Sequence, residues 1–126
     1  MKKAFLILLT GLILVSALVF TSCDPTFGLQ QLSSDDVALS WVQGTWKVTT
    51  VTDTYSNNEK TASSTTTNTK DYSSTLGANG LLIFLKSVAT SGNLYASADR
   101  THVVYYINDV DDNGTGTKYT YTMDKQ

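Results

Sequence analysis

The chain has 126 residues, a formal net charge of −2, and a single cysteine, a single histidine and a single proline. One cysteine excludes an internal disulfide, one histidine excludes a His-rich metal site, and the lack of a basic excess excludes a phosphate-gripping face for nucleic acid. Once a leader is set aside, the length allows one domain with a modest core.

The leader comes first: Met1, Lys2 and Lys3, then an apolar run from Ala4 to Phe20 that closes in Thr21-Ser22-Cys23. The lysines supply the end that stays on the cytoplasmic side, and the run supplies a greasy helix for translocation. Seventeen residues rising 1.5 Å each span about 25 Å, short of a comfortable bilayer crossing, so cleavage is expected rather than permanent anchoring. Phe20-Thr21-Ser22-Cys23 resembles the lipobox of bacterial lipoproteins, with Phe20 where that family usually has Leu. The resemblance implies that Cys23 Sγ receives a diacylglyceryl group and that the chain is cut just before it. It also implies a bacterial envelope location, on the outer membrane at its periplasmic face or at the cell surface. The other reading is an ordinary signal peptide cut near Ser22 or Cys23, which leaves a free thiol. Cleavage removes Lys2 and Lys3 and leaves seven basic against eleven acidic residues, a net charge of −4. Electrostatic adhesion to anionic lipid is thereby excluded, and the acyl chains on Cys23 must do the anchoring, at about 0.8 kcal/mol per buried methylene.

The expected organisation is a signal peptide over 1–22, a lipidated cysteine and tether over 23–39, and a β domain over 40–126. Pro25, Thr26 and Gly28 resist helix, and the tether is polar with isolated apolar residues. Ser34-Asp35-Asp36 is placed to cap a short helix through Val37, Leu39 and Trp41. From Trp46 to Tyr55 the chain is rich in β-branched and aromatic residues and predicts a strand, with a bulge near Thr49 and Thr50 to keep Val48 and Val51 on one side.

Gly44-Thr45-Trp46 leading into that strand resembles the opening of the first barrel strand in lipocalins, especially the short lipocalin-like domains of bacterial lipoproteins. The resemblance implies an antiparallel barrel plugged by Trp46, often around a small apolar ligand. Long lipocalins cover this tryptophan with an arginine from the last strand; here the only arginine is Arg100. The residues alone equally support Trp46 as a plain core residue at a strand start.

Ser56 to Ser74 carries almost nothing apolar and reads as a solvated connection, either a long hairpin loop or threonine-rich strands with wet faces. Leu81-Leu82-Ile83-Phe84-Leu85 is the strongest apolar run of the mature chain and predicts a strand covered on both faces or carrying an oligomer contact, with a short helix as the alternative. Leu94 to Asp99 alternates as a half-exposed strand. His102–Ile107 and Lys118–Met123 flank an Asp-Asn-Gly-rich connection and predict a hairpin, with Tyr119, Tyr121 and Met123 on one face opposite Tyr105 and Ile107.

Asp109, Asp111 and Asn113, followed by Gly114, match the first half of a calcium loop. Position twelve is Thr120, where a bidentate glutamate is needed, so the segment reads as a turn and no metal is assigned. Asp99, Arg100 and His102 allow an ion pair but form no catalytic signature. No nucleophile–base pairing, phosphate loop or cofactor motif is visible, so an enzyme is not expected and no cofactor is implied. The tyrosines, seven in all, suit either an aromatic binding surface or ordinary half-buried sheet positions.

The sequence thus predicts an all-β mature domain of about six strands, a small antiparallel barrel or barrel-like sandwich, behind a signal helix and a flexible tether. The first functional expectation is a non-catalytic, lipocalin-like module that binds a small apolar ligand, with Trp41, Trp46, Phe84 and Tyr106 as wall residues. The second is a surface or periplasmic protein-interaction module, such as an envelope factor, adhesin or hydrolase inhibitor, because six strands are few for enclosing a cavity.

Overall fold

The computed structural model describes residues 25–126; the leader 1–22 and the lipobox cysteine Cys23 lie outside the described residues. In chain order the elements are β1 (Gln30–Gln31), a 3-10 turn (Ser34–Asp36), α1 (Leu39–Val42), β2 (Gly44–Ser56), β3 (Glu59–Tyr72), α2 (Thr75–Thr90), β4 (Leu94–Ala96), β5 (His102–Val110) and β6 (Gly116–Lys125). The six strands pair antiparallel in one sheet, in the order β1-β4-β5-β6-β2-β3.

The outermost strands, β1 and β3, do not meet, so the sheet is open. The expected barrel or barrel-like sandwich is corrected accordingly: the core lies between one sheet and one helix. The run from Leu81 to Leu85 explains the difference, because it is part of α2 and not a strand. Ala78, Leu81, Leu85, Val88 and Ala89 are buried while Ile83 and Phe84 are exposed, which is a helical period and not an alternating one. Ser74 caps the helix, its Oγ accepting from Gly77 N at 3.1 Å. At the other end Gly92, at φ 77°, takes the left-handed conformation that ends helices.

The first half of the domain also departs from expectation. Gln30 and Gln31 pair with Ala96 and Tyr95, and Leu32 and Val37 are buried, so the tail of the expected tether belongs to the fold. Ser34–Asp36 forms its own turn and α1 starts separately at Leu39, in place of one capped helix. The tract from Ser56 to Ser74 takes the second of its two expected forms, a threonine-rich strand with wet faces and not a long loop: residues 59–72 form β3, exposed along nearly all its length and paired with β2 on one side only. Asn57 and Asn58, at φ 52° and 70°, make the tight turn, since asparagine tolerates this region. The β2–β3 register runs evenly past Thr49 and Thr50, and its irregularity falls between Thr54 and Tyr55. The expected bulge at Thr49 is therefore absent; Val48 faces the helix, and Val51, an odd number of residues away, faces the opposite side.

The β5–β6 hairpin matches the sequence reading. Val103, Tyr105 and Ile107 lie opposite Met123, Tyr121 and Tyr119. The connection from Asp111 to Thr115 is an Asx-type turn. It docks on the neighbouring hairpin tip, where Asn58 N donates to Gly114 O at 2.9 Å. Gly114, at φ 76°, has no room for a side chain, since a Cβ would lie 2.1 Å from Asn58 Oδ1.

Trp46, Leu85, Leu94, Met123, Val42 and Val103 are fully buried and fill the space between α2 and the sheet. Each buried aliphatic side chain contributes about 1.5–3 kcal/mol of transfer free energy.

Candidate functional site

The four expected wall residues separate. Trp46 is sealed in the core, its Nε1 donating to Val42 O at 2.9 Å. Lys125, near the end of the last strand, lies 4.9 Å from the centre of the Trp46 ring and donates to Gln43 O at 2.8 Å and to Trp41 O. A cation thus covers the tryptophan from the last strand, a lysine where long lipocalins have an arginine. Partial burial among these groups lowers the Lys125 pKa by desolvation. Trp41 is half-buried at the rim, its Nε1 donating to Asp36 O at 3.0 Å. Neither tryptophan lines an open cleft described below.

Phe84 and Tyr106 border one cleft, although the Tyr106 ring lies on the other face of the sheet, against Tyr95 at 6.1 Å. They share this cleft of about 270 Å³ with Ser87, Val88, Ser91 and Asn93, where the three-residue β4 begins and α2 overhangs β5. Phe84 also borders a second cleft, of about 320 Å³, on its other side. That cleft lies between the first half of α2 and the sheet, with Leu76, Gly77, Gly80 and Leu81 from the helix and Tyr72 and Tyr105 below. Phe84 is therefore the centre of the candidate site. It is 42% exposed, beside Ile83 at 70% and Leu76 at 85%, an apolar strip on the outside of the helix.

Tyr105 reaches the second cleft as one end of a row of aromatic rings that the register dictates. Tyr105 and Tyr121 are opposite each other on β5 and β6, and their rings stack at 4.6 Å and 11°. Phe84 meets Tyr105 edge-on at 5.5 Å, and Tyr119 stacks beyond Tyr121 at 6.2 Å. Tyr105 is 7% exposed, and burial, aided by the phenols of Tyr121 and Tyr72, pushes its pKa far above the ordinary tyrosine value. It stays a neutral phenol across the physiological range. Reading 75–90 as a helix would have placed Gly77, Gly80 and Phe84 on one side, as the wall above these rings.

The other constellations are used up locally. Asp111 Oδ1 accepts from Asn113 N and Thr115 N, both at 3.0 Å, which engages the central carboxylate of the calcium-like segment in holding the turn. Asp109 pairs with Thr117 along the ladder. Among the described residues no group of three or more His, Cys, Asp or Glu is placed to hold a metal ion. Asp99 accepts from Ser97 Oγ at 2.7 Å, Thr101 Oγ1 at 2.8 Å and Thr101 N at 3.1 Å, which holds its carboxyl down at about 2. Arg100 turns away from it to Gln30 Oε1 at 3.0 Å, and His102 pairs with Asp124 at 2.5 Å across the ladder.

No protein-family pattern, curated protein or solved structure matches this chain. Among the described residues no helix is long and apolar enough to cross a membrane.

Proposed function

We propose that this chain is a lipid-anchored envelope lipoprotein whose domain is a non-catalytic binding module, taking a small apolar ligand on an open surface. The observation that carries the reading is the pair of clefts flanking Phe84, in a sheet whose ends do not close around an interior void. The leader, the Phe20–Cys23 lipobox and a mature charge of −4 support mooring by acyl chains on Cys23 at the outer membrane. The Gly44-Thr45-Trp46 opening and the cation over Trp46 support a lipocalin-like ancestry for the strand that starts there.

A second reading, a protein-interaction module, is favoured by one observation. Strand β3 offers fourteen residues along an uncovered sheet edge without a proline, a template for strand addition.

Both readings are tested on protein taken from native envelopes. Mass spectrometry should show loss of residues 1–22 and acyl mass on Cys23, and native spectra should carry a co-purifying small apolar molecule. Cys23→Ala should move the protein out of the membrane fraction. Retention of Met1, or an unmodified Cys23, overturns the mooring; a bound protein in place of a small molecule favours the second reading.

A further inference from the structure

The cleft above Tyr105 shows what kind of molecule suits it. Tyr105 lines the cleft and is 7% exposed, and its hydroxyl makes no hydrogen bond with any group among the described residues. A hydroxyl cut off from every partner costs about 1–3 kcal/mol, so the cleft has to supply the partner for this one. It cannot swing to a better place, because stacking on Tyr121 and the edge of Phe84 fix the ring from two sides. The wall opposite is made of residues that leave room. Gly77 and Gly80 sit inside a helix, where each glycine costs about 0.5–1 kcal/mol relative to alanine. A Cβ on Gly80 would have nothing within 4 Å, so packing within the domain does not require glycine there.

The remaining lining is apolar or phenolic: Leu76, Leu81, Phe84 and Tyr72. No charged side chain lines the cleft, so a carboxylate or an ammonium ion would lose its hydration with no counter-charge in return. The volume, about 320 Å³, is at the small end of ligand pockets.

We propose that this cleft binds a small, freely diffusing, uncharged molecule with a short apolar chain and one accepting oxygen, an ester or ketone, which takes its hydrogen bond from the Tyr105 hydroxyl. The proposal rests on the reading of the Phe84 surface as the binding surface and adds the class of ligand. It takes no part in bond-making or bond-breaking.

The test uses the full-length protein in phosphatidylcholine nanodiscs, with empty nanodiscs subtracted, and three probes of similar length: methyl hexanoate, hexanoate and heptane. Ligand-observed NMR and thermal midpoints are read for the native chain, Tyr105→Phe and Gly80→Leu. Methyl hexanoate should bind best and raise the midpoint. Tyr105→Phe should bind it about fivefold more weakly, the loss of one net hydrogen bond, without lowering the midpoint of the unliganded protein. Gly80→Leu should keep the fold and lose the probe. Equal binding by Tyr105→Phe overturns the proposal, as does a fall in its unliganded midpoint, which would show a hydroxyl already satisfied within the protein. Preference for hexanoate or heptane overturns the ligand class while leaving the binding surface in place. Binding of no probe overturns the class as well, and the co-purification experiment then judges the surface separately.

Discussion

The two ends of the sheet are made of similar strands held in opposite ways. Beneath α2, where β4, β5 and β6 meet the start of β2, Leu94, Val103, Met123 and Trp46 have lost all but traces of their exposure. At the far end β2 and β3 pair through thirteen residue partners, yet β3 is wet on both faces. The first region is stabilised by burial; the second is held by backbone hydrogen bonds, Asn57-Asn58 turn geometry and cross-strand threonines such as Thr49 and Thr67, whose hydroxyls lie 3.3 Å apart. A strand therefore does not need a core of its own when its partner has one. Binding features fall at the boundary, where α2 stops covering the tyrosine row.

Breaking the covered end should have the largest effect. Trp46→Ala removes a fully buried ring and should cost about 3–5 kcal/mol in urea unfolding, enough to threaten the fold. Where the two hairpin tips dock, Gly114→Ala places a methyl group against Asn58 at a positive φ. It should cost about 1–3 kcal/mol and loosen the two turns first in hydrogen exchange. Lys125→Met keeps the stem over Trp46 but removes the cation, and should cost about 1 kcal/mol in the same unfolding assay. Thr67→Ala on the wet strand should move stability by less than about 0.5 kcal/mol. If it costs as much as Trp46→Ala, the two ends are not held differently.

A pH titration sharpens the comparison at a single loop. Asp99 titrates at about 2 in the folded chain, below its ordinary value of 3.8, so its contribution is complete above that value and is lost as pH falls toward 2. The Ser97–Thr101 amides should lose protection over that interval, and Asp99→Asn should remove the dependence. An unchanged acid response in the variant would place its source elsewhere.

The legible parts of this fold were those with local chemistry. The β5–β6 hairpin could be read from alternating residues around an Asp-Asn-Gly turn, and the strand after Trp46 from its β-branched content. The run at Leu81–Leu85 misled because five apolar residues carry no period on their own. Only a window from Ala78 to Ala89, with Ser74 as cap, shows the helix. Strand β3 was legible only as one of two readings, because it buries almost nothing and hydropathy has no signal to choose a wet strand over a loop; the deciding clue was Asn57-Asn58. Of the site, Phe84 was legible as an aromatic residue in an apolar run, whereas Tyr106 borders the same cleft but turns its ring to the other face of the sheet. Tyr72 and Tyr105 were not legible, since their meeting with Phe84 depends on where α2 lies across the sheet.

The central claim is that one helix on one end of an open sheet builds both the core and the cleft. Residue-resolved native-state hydrogen exchange tests it most directly. The amides of β5, β6 and the Leu81–Val88 stretch should exchange only through global unfolding, with those of β3 exchanging orders of magnitude faster. Equal protection of β3 and β6 would contradict the account, because it requires a cover over the far end that an open sheet does not have.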